Sequence, residues 1–163
     1  MKKVLGNIML CVFILWAGIR IHAAVSFTID CDGHLKRAAD ANTIELAKQE
    51  LKVALSYLGK NQLTDGYTSV WYRTPDEDIG FWYKNLKSSM EELEKVTVET
   101  TQLEKSNLLI KLRETLLDHG GDGDKVTVPQ GISVFPQNRG YVVFGILGSI
   151  LAIIGLVLIM SDD

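Results

Sequence analysis

The stretch YVVFGILGSILAIIGLVLIM, Tyr141 to Met160, holds 20 residues without one charge. Coiled as a helix it reaches about 30 Å, the thickness of a bilayer's hydrocarbon core. A transmembrane helix is therefore expected, with Arg139 and Tyr141 at one border and Ser161-Asp162-Asp163 beyond the other. Within it Gly145 and Ser149, and Gly148 and Ala152, stand four apart. That small-xxx-small spacing lets a second backbone approach closely. These four residues are candidate packing positions for a second copy or another membrane protein.

A second apolar run, Val4 to Ile19, follows Lys2-Lys3 and ends at Arg20-Ile21-His22-Ala23-Ala24. Its 16 residues make about 24 Å, short for a span and slightly long for the core of a signal sequence. Alanine at the candidate cleavage position favours a signal peptide over residues 1–23, with a retained signal anchor as the other reading. Under either, the paired lysines hold the N-terminus inside and residues 24–138 are exported. Residues 139–163 form the C-terminal anchor with a minimal tail. The expected location is the bacterial inner membrane, with the main domain on the periplasmic side.

The middle of the chain reads as mainly helical. Ala41, Ile44, Ala47, Leu51, Ala54, Leu55 and Leu58 recur at three and four, predicting one helix of about 25 residues from Ala38, with Glu45, Lys48, Glu50 and Lys52 largely off the apolar stripe. Thr74-Pro75-Asp76-Glu77 offers an N-cap, a proline at the first helical position and a capping-box glutamate. A second helix follows, with Ile79, Trp82, Tyr83, Leu86, Met90 and Leu93 inward. VTVETT, Val96 to Thr101, has five β-branched residues in six and predicts a break. Thr101 and Glu104 repeat the capping-box spacing and open a third helix over 102–118, ended by His119-Gly120-Gly121. Its expected inner side is Leu103, Leu109, Ile110, Leu112, Leu116 and Leu117.

Strand signals are short. VSFTI, Val25 to Ile29, alternates apolar and hydroxyl side chains, as do Val126-Thr127-Val128 and Ile132-Ser133-Val134 around the turn Pro129-Gln130-Gly131. They predict a small β element near the membrane, on edge strands because of the prolines. The expected architecture is a three-helix domain, a helical hairpin plus a third helix, with that β element and a C-terminal transmembrane helix.

Six aromatics gather around the second helix start: Tyr67, Trp71 and Tyr72 in the preceding connection, and Phe81, Trp82 and Tyr83 on its first turns. Consecutive positions 81 to 83 sweep about 200° of helix circumference, so they cannot all enter one core. The expected packing folds Tyr67 and Trp71 over Trp82 as a lid. The functional alternative is a partner or ligand patch formed by these six side chains.

Reactive constellations are scarce. Asp30-Cys31-Asp32-Gly33-His34 collects ligand types, but no second pair completes a tetrahedral metal site, and Asp32 serves equally as a helix N-cap. The acidic loop Asp118 to Asp124 places Pro129 where an EF-hand needs glutamate. No cofactor or metal is expected, and no nucleophile stands with a base in a recognisable spacing. The net charge of −3, without a basic stripe, argues against nucleic acid as a partner. Cys11 lies in the apolar run, which leaves Cys31 as an odd cysteine, buried or paired between chains.

Together these features predict a membrane-anchored, non-catalytic interaction module, a scaffold or accessory subunit with a protein partner or a second copy of itself. One alternative is a small-ligand or metal sensor using the aromatics or Cys31 and His34. The other is a two-span pore former, which an uncleaved N-terminus favours.

Overall fold

The structure, a computed structural model, describes residues 2–120, 123–133 and 138–161, and it is mainly helical. The first helix, α1 (Lys2–Phe27), runs without interruption through a π-turn (Thr28–Asp32) into α2 (Gly33–Ala39). Next come α3 (Ile44–Lys60), a single 3-10 turn (Pro75–Glu77), α4 (Ile79–Glu94) and α5 (Gln102–Leu116). A hairpin of β1 (Leu117–Gly120) and β2 (Gly123–Val126) precedes the last helix, α6 (Asn138–Met160).

Among the described residues two helices are long and apolar enough to cross a membrane: Lys2–Ala39, counted as one helix, and Asn138–Met160. They pack antiparallel. Gly6 meets Gly155, Phe13 lies against Gly148, Trp16 against Gly145, and Arg20 over the Tyr141 ring. Bare glycines bring the backbones together because nothing else fits. A methyl built on Gly6 would stand 2.5 Å from the Gly155 carbonyl oxygen, and one on Gly145 2.8 Å from Trp16. The outer faces of both helices carry exposed Val4, Leu5, Ile14, Leu15, Phe144, Ile153 and Val157.

The long N-terminal helix changes environment at the π-turn, where Gly33 N–H donates to the Thr28 carbonyl five residues back. The extra residue rotates the helix face. Ile29 is left exposed while Cys31, Leu35 and Ala38 turn into the core of the helical domain. The strand expected over Val25 to Ile29 is therefore helix. Continuity of the α1 helix, whose side chains pack on α6 and on Tyr57, overrides a five-residue alternation.

The single long helix expected from Ala38 is instead two elements. Asp40, Ala41 and Asn42 interrupt it, and Thr43 caps α3 by accepting from Leu46 N–H at 3.2 Å. Short polar side chains compete for the backbone and favour such a cap over helix interior. The inward residues of α3 are as expected, with Ile44, Ala47, Leu51, Ala54 and Leu58 buried. Glu50 departs from expectation, being 5% exposed and facing α2.

At the α4 start, Thr74 does not cap the helix. Its hydroxyl donates to Glu77 at 2.6 Å across the 3-10 turn, and Asp78 is the N-cap, accepting from Phe81 N–H at 3.0 Å. A carboxylate immediately before Ile79 serves as the cap, and Pro75 supports only the preceding turn. The break at 97–100 is present as a turn tied by Thr97 N–H to the Thr100 hydroxyl. The Thr101–Glu104 capping box forms as expected.

The β element lies elsewhere than expected. Leu117 pairs with Val126 and Gly120 with Gly123, so Val126 is the one residue of the expected strands that is in the hairpin. Thr127 N–H continues the ladder to the Leu116 carbonyl, whereas Ile132 sits in a turn. Val134 and Gly121 lie outside the described residues. The third helix ends at Leu116, where Leu117 takes extended geometry. Leu103 and Ile110 are exposed, against expectation, while Leu112, Leu116 and Leu117 are buried. Four helices, α2 to α5, thus share one core with Trp82 and Ile132.

Candidate functional site

The six aromatics separate by environment. Trp82 is buried on α4 and donates its indole N–H to the Thr127 carbonyl at 2.7 Å, fixing the segment after the hairpin against the helix. Tyr83 packs partly buried at the core edge. Phe81 is exposed and lines a cleft of about 590 Å³ with Asp76, Asp78, Leu86, Asp118 and Val128. Trp71 and Tyr72 are each 80% exposed, so Trp71 does not cover Trp82. The lid expectation fails because the connection runs away from the core. Thr68 N–H bonds Glu77 O and Ile79 N–H bonds Gly66 O, which pins residues 66–68 to the α4 start and sends 69–73 outward.

That outward loop lies beside the beginning of α6. Gly66, Tyr67, Ser69, Val70, Trp71, Tyr72 and Arg73 share a pocket of about 290 Å³ with Arg139. Arg73 stacks over the Tyr67 ring at 4.9 Å. Among the described residues, the Ser69 hydroxyl is buried there without a hydrogen-bond partner.

The four transmembrane packing candidates also divide. Gly145 and Gly148 face Trp16 and Phe13 of the same chain, and Ala152 is buried. Ser149 turns away, exposed, and donates to the Gly145 carbonyl at 2.8 Å. The partner of this face is thus α1. Gly6 and Gly155, the closest approach of all, were not among the sequence candidates; the signal for them was glycine in both apolar runs at mirror-related positions.

Around residues 30–34 the ligand types do not converge. Asp30 is exposed, Cys31 is buried, and His34 Nδ1 contacts Glu50 Oε2 at 2.6 Å, with Arg37 Nη2 on Oε1 at 2.6 Å. Asp32 makes no side-chain cap, since the helix runs straight through it. Among the described residues no three His, Cys, Asp or Glu side chains gather as a metal site. The acidic loop lies partly outside the described residues; of its members, Asp124 accepts from Arg113 Nη2 at 2.8 Å.

Cys31 has no exposed surface, and burial, aided by the nearby Asp32 charge, pushes its thiol up to about 12. A buried thiol held protonated is a poor nucleophile. Maleimide is therefore expected to leave Cys31 unmodified in the folded chain and to label it after denaturation, read by mass on a Cys11→Ser background. Rapid native labelling would overturn the burial of Cys31, and a dimer split by reductant on a gel would restore the intermolecular disulfide.

The α5 capping box sets a pH dependence. Glu104 accepts from Thr101 N–H and from its hydroxyl at 2.8 Å each, and these bonds hold the carboxylate below its ordinary pKa. A depressed folded pKa contributes stability above the unfolded value and loses it as pH falls through the folded one. Glu104→Gln is expected to flatten the acid side of the stability profile. An unchanged profile would remove Glu104 from that role.

Comparison with protein-family models, with curated proteins and with solved structures finds no match to this chain.

Proposed function

We propose that the protein is a two-span membrane hairpin that carries a rigidly mounted, non-catalytic helical interaction domain, serving as a scaffold or accessory subunit of a membrane assembly. The observation that carries this reading is the pairing of α1 with α6, in which glycines on both helices meet while apolar side chains face outward. Outward apolar faces on two helices of this length need lipid around them. At one border Arg20 of α1 lies over the Tyr141 ring of α6, and in the sequence Lys2-Lys3 precedes the apolar run at the other end of α1.

The same contact supports retention of residues 1–23. Cleavage near Ala23 would strip Phe13 and Trp16 from Gly148 and Gly145 and leave the α6 glycine face open. The helix through Lys2–Ala39 spans 38 residues, about 57 Å, and passes from the membrane pair into the domain core. Such a continuous rod couples the tilt of the membrane pair to the orientation of the domain. We place that domain on the extracytoplasmic side, with both termini inside, and partner binding on its outward surface.

Extraction in mild detergent, followed by native mass of the complex and intact mass of the chain, tests the proposal. A chain retaining its N-terminal residues, in a complex of fixed stoichiometry with itself or with other subunits, is the expected result. A lone monomer would count against the scaffold role, and a chain beginning near Ala24 would remove the hairpin.

A further inference from the structure

The exposed loop 69–73 holds two large aromatics, Trp71 and Tyr72, each 80% exposed. Its position supplies what the aromatics alone do not. The loop shares its pocket with Arg139, in the first turn of α6, next to the Tyr141 that begins the uncharged run. Tryptophan and tyrosine favour the head-group layer, where an apolar ring and a polar edge are both satisfied.

Three further features fit a phosphate at the same place. Among the described residues no carboxylate lies within ion-pair distance of Arg73 or Arg139. The Ser69 hydroxyl is buried in the pocket without a hydrogen-bond partner among the described residues. The first backbone N–H groups of α6 add positive potential beside Arg139. Two guanidiniums, an orphan hydroxyl and a helix N-terminus match the charge of a phosphodiester.

We infer that this pocket seats the phosphate of a membrane phospholipid, with Trp71 and Tyr72 inserted among the neighbouring head groups. The inference rests on the two-span reading, because only then do Arg139 and the loop lie at a bilayer surface. The loop becomes a third contact with the membrane besides α1 and α6, holding the domain down against the bilayer.

The test reconstitutes the full chain in phospholipid vesicles brominated near the head group or deep in the acyl chain. Trp71 is read as the difference between wild type and Trp71→Phe, and Trp16 as the difference from Trp16→Phe. Quenching of Trp71 by the shallow label, diminished by Arg73→Glu or Arg139→Glu, is the expected result. Trp71 open to aqueous iodide and untouched by either label, with Trp16 still quenched, would overturn the inference and leave the hairpin standing. If Trp16 also escaped both labels, the two-span reading would fail first and the lipid site with it. Inorganic phosphate shifting Trp71 emission in micelles, without lipid quenching in vesicles, would make the pocket a soluble-anion site and overturn the lipid assignment.

Discussion

Gly6→Ala and Gly155→Ala are each expected to destabilise the α1–α6 pair by about 1–3 kcal/mol, the usual cost of forcing extra volume into a packed contact. The added carbon would meet backbone: 2.5 Å to the Gly155 oxygen from position 6, and 2.9 Å to the Gly6 oxygen from position 155. A flexible side chain can swing aside, but a carbonyl in mid-helix cannot, so the helices must separate locally. Gly6→Leu should go further and lose the close approach altogether. Gly18 and Gly140 are the controls, because a methyl there meets nothing within 4 Å. Alanine at those positions should be neutral or slightly stabilising through helix propensity. Thermal unfolding of the full chain in one detergent reads all five variants. Equal midpoints for Gly6→Leu and wild type would mean that α1 does not pack on α6, as would follow if it were a removed signal peptide.

The parts legible in sequence were those set by local chemistry. Periodicity located Ile44, Ala47, Leu51, Ala54 and Leu58 on one face of α3, and Ile79, Trp82, Leu86 and Leu93 on one face of α4. The Thr101–Glu104 box marked the start of α5, because both partners lie within one helical turn and need no tertiary help. Spacing, a property of one helix, marks Gly145, Gly148 and Ala152 as a small-residue face of α6, and in the structure Gly145 and Gly148 meet α1 of the same chain rather than a second copy.

What was missed depends on contacts between distant segments. Val25 to Ile29 alternates like a strand, yet it continues a helix held from both ends, by α6 below and by Phe27, Cys31 and Leu35 in the core above. Alternation over five residues cannot signal that. The caps at Thr43 and Asp78 are hidden in the sequence for a different reason: each lies beside residues that also suit a helix, Ala41 before one and Thr74-Pro75 before the other. The aromatic patch shows the same limit. Composition gathered six rings, but only the pairing of 66–68 with 77–79 decides that Trp82 turns inward while Trp71 and Tyr72 turn out. The α6 partner, α1, is more than a hundred residues away along the chain, so spacing within α6 could name a packing face but not what covers it.

His34→Ala/Arg37→Ala is expected to cost about 3 kcal/mol, more than Glu50→Leu, although the glutamate is the more buried member of the triad. Its side chain is 7% exposed, against 24% for His34 and 69% for Arg37, and both neighbours meet it at 2.6 Å. Removing the two donors leaves a buried carboxylate without compensation, the situation in which breaking an ion pair costs most. Removing the carboxylate lets Arg37 turn into water at little loss, since an exposed partner of this kind contributes about 1 kcal/mol or less. Leucine at 50 also fills the space with apolar surface, a replacement that is often neutral. The double change should then be nearly silent on the Glu50→Leu background, which a thermodynamic cycle in denaturant would read directly. Equal losses on both backgrounds would show that His34 and Arg37 act through packing alone. The cycle bears on the proposed function because His34 and Arg37 stand three apart on α2, the continuation of α1, while Glu50 belongs to α3. With the triad broken, amide exchange in α2 and at the α3 start should accelerate while α6 stays protected, since the domain would then loosen from the rod that carries it.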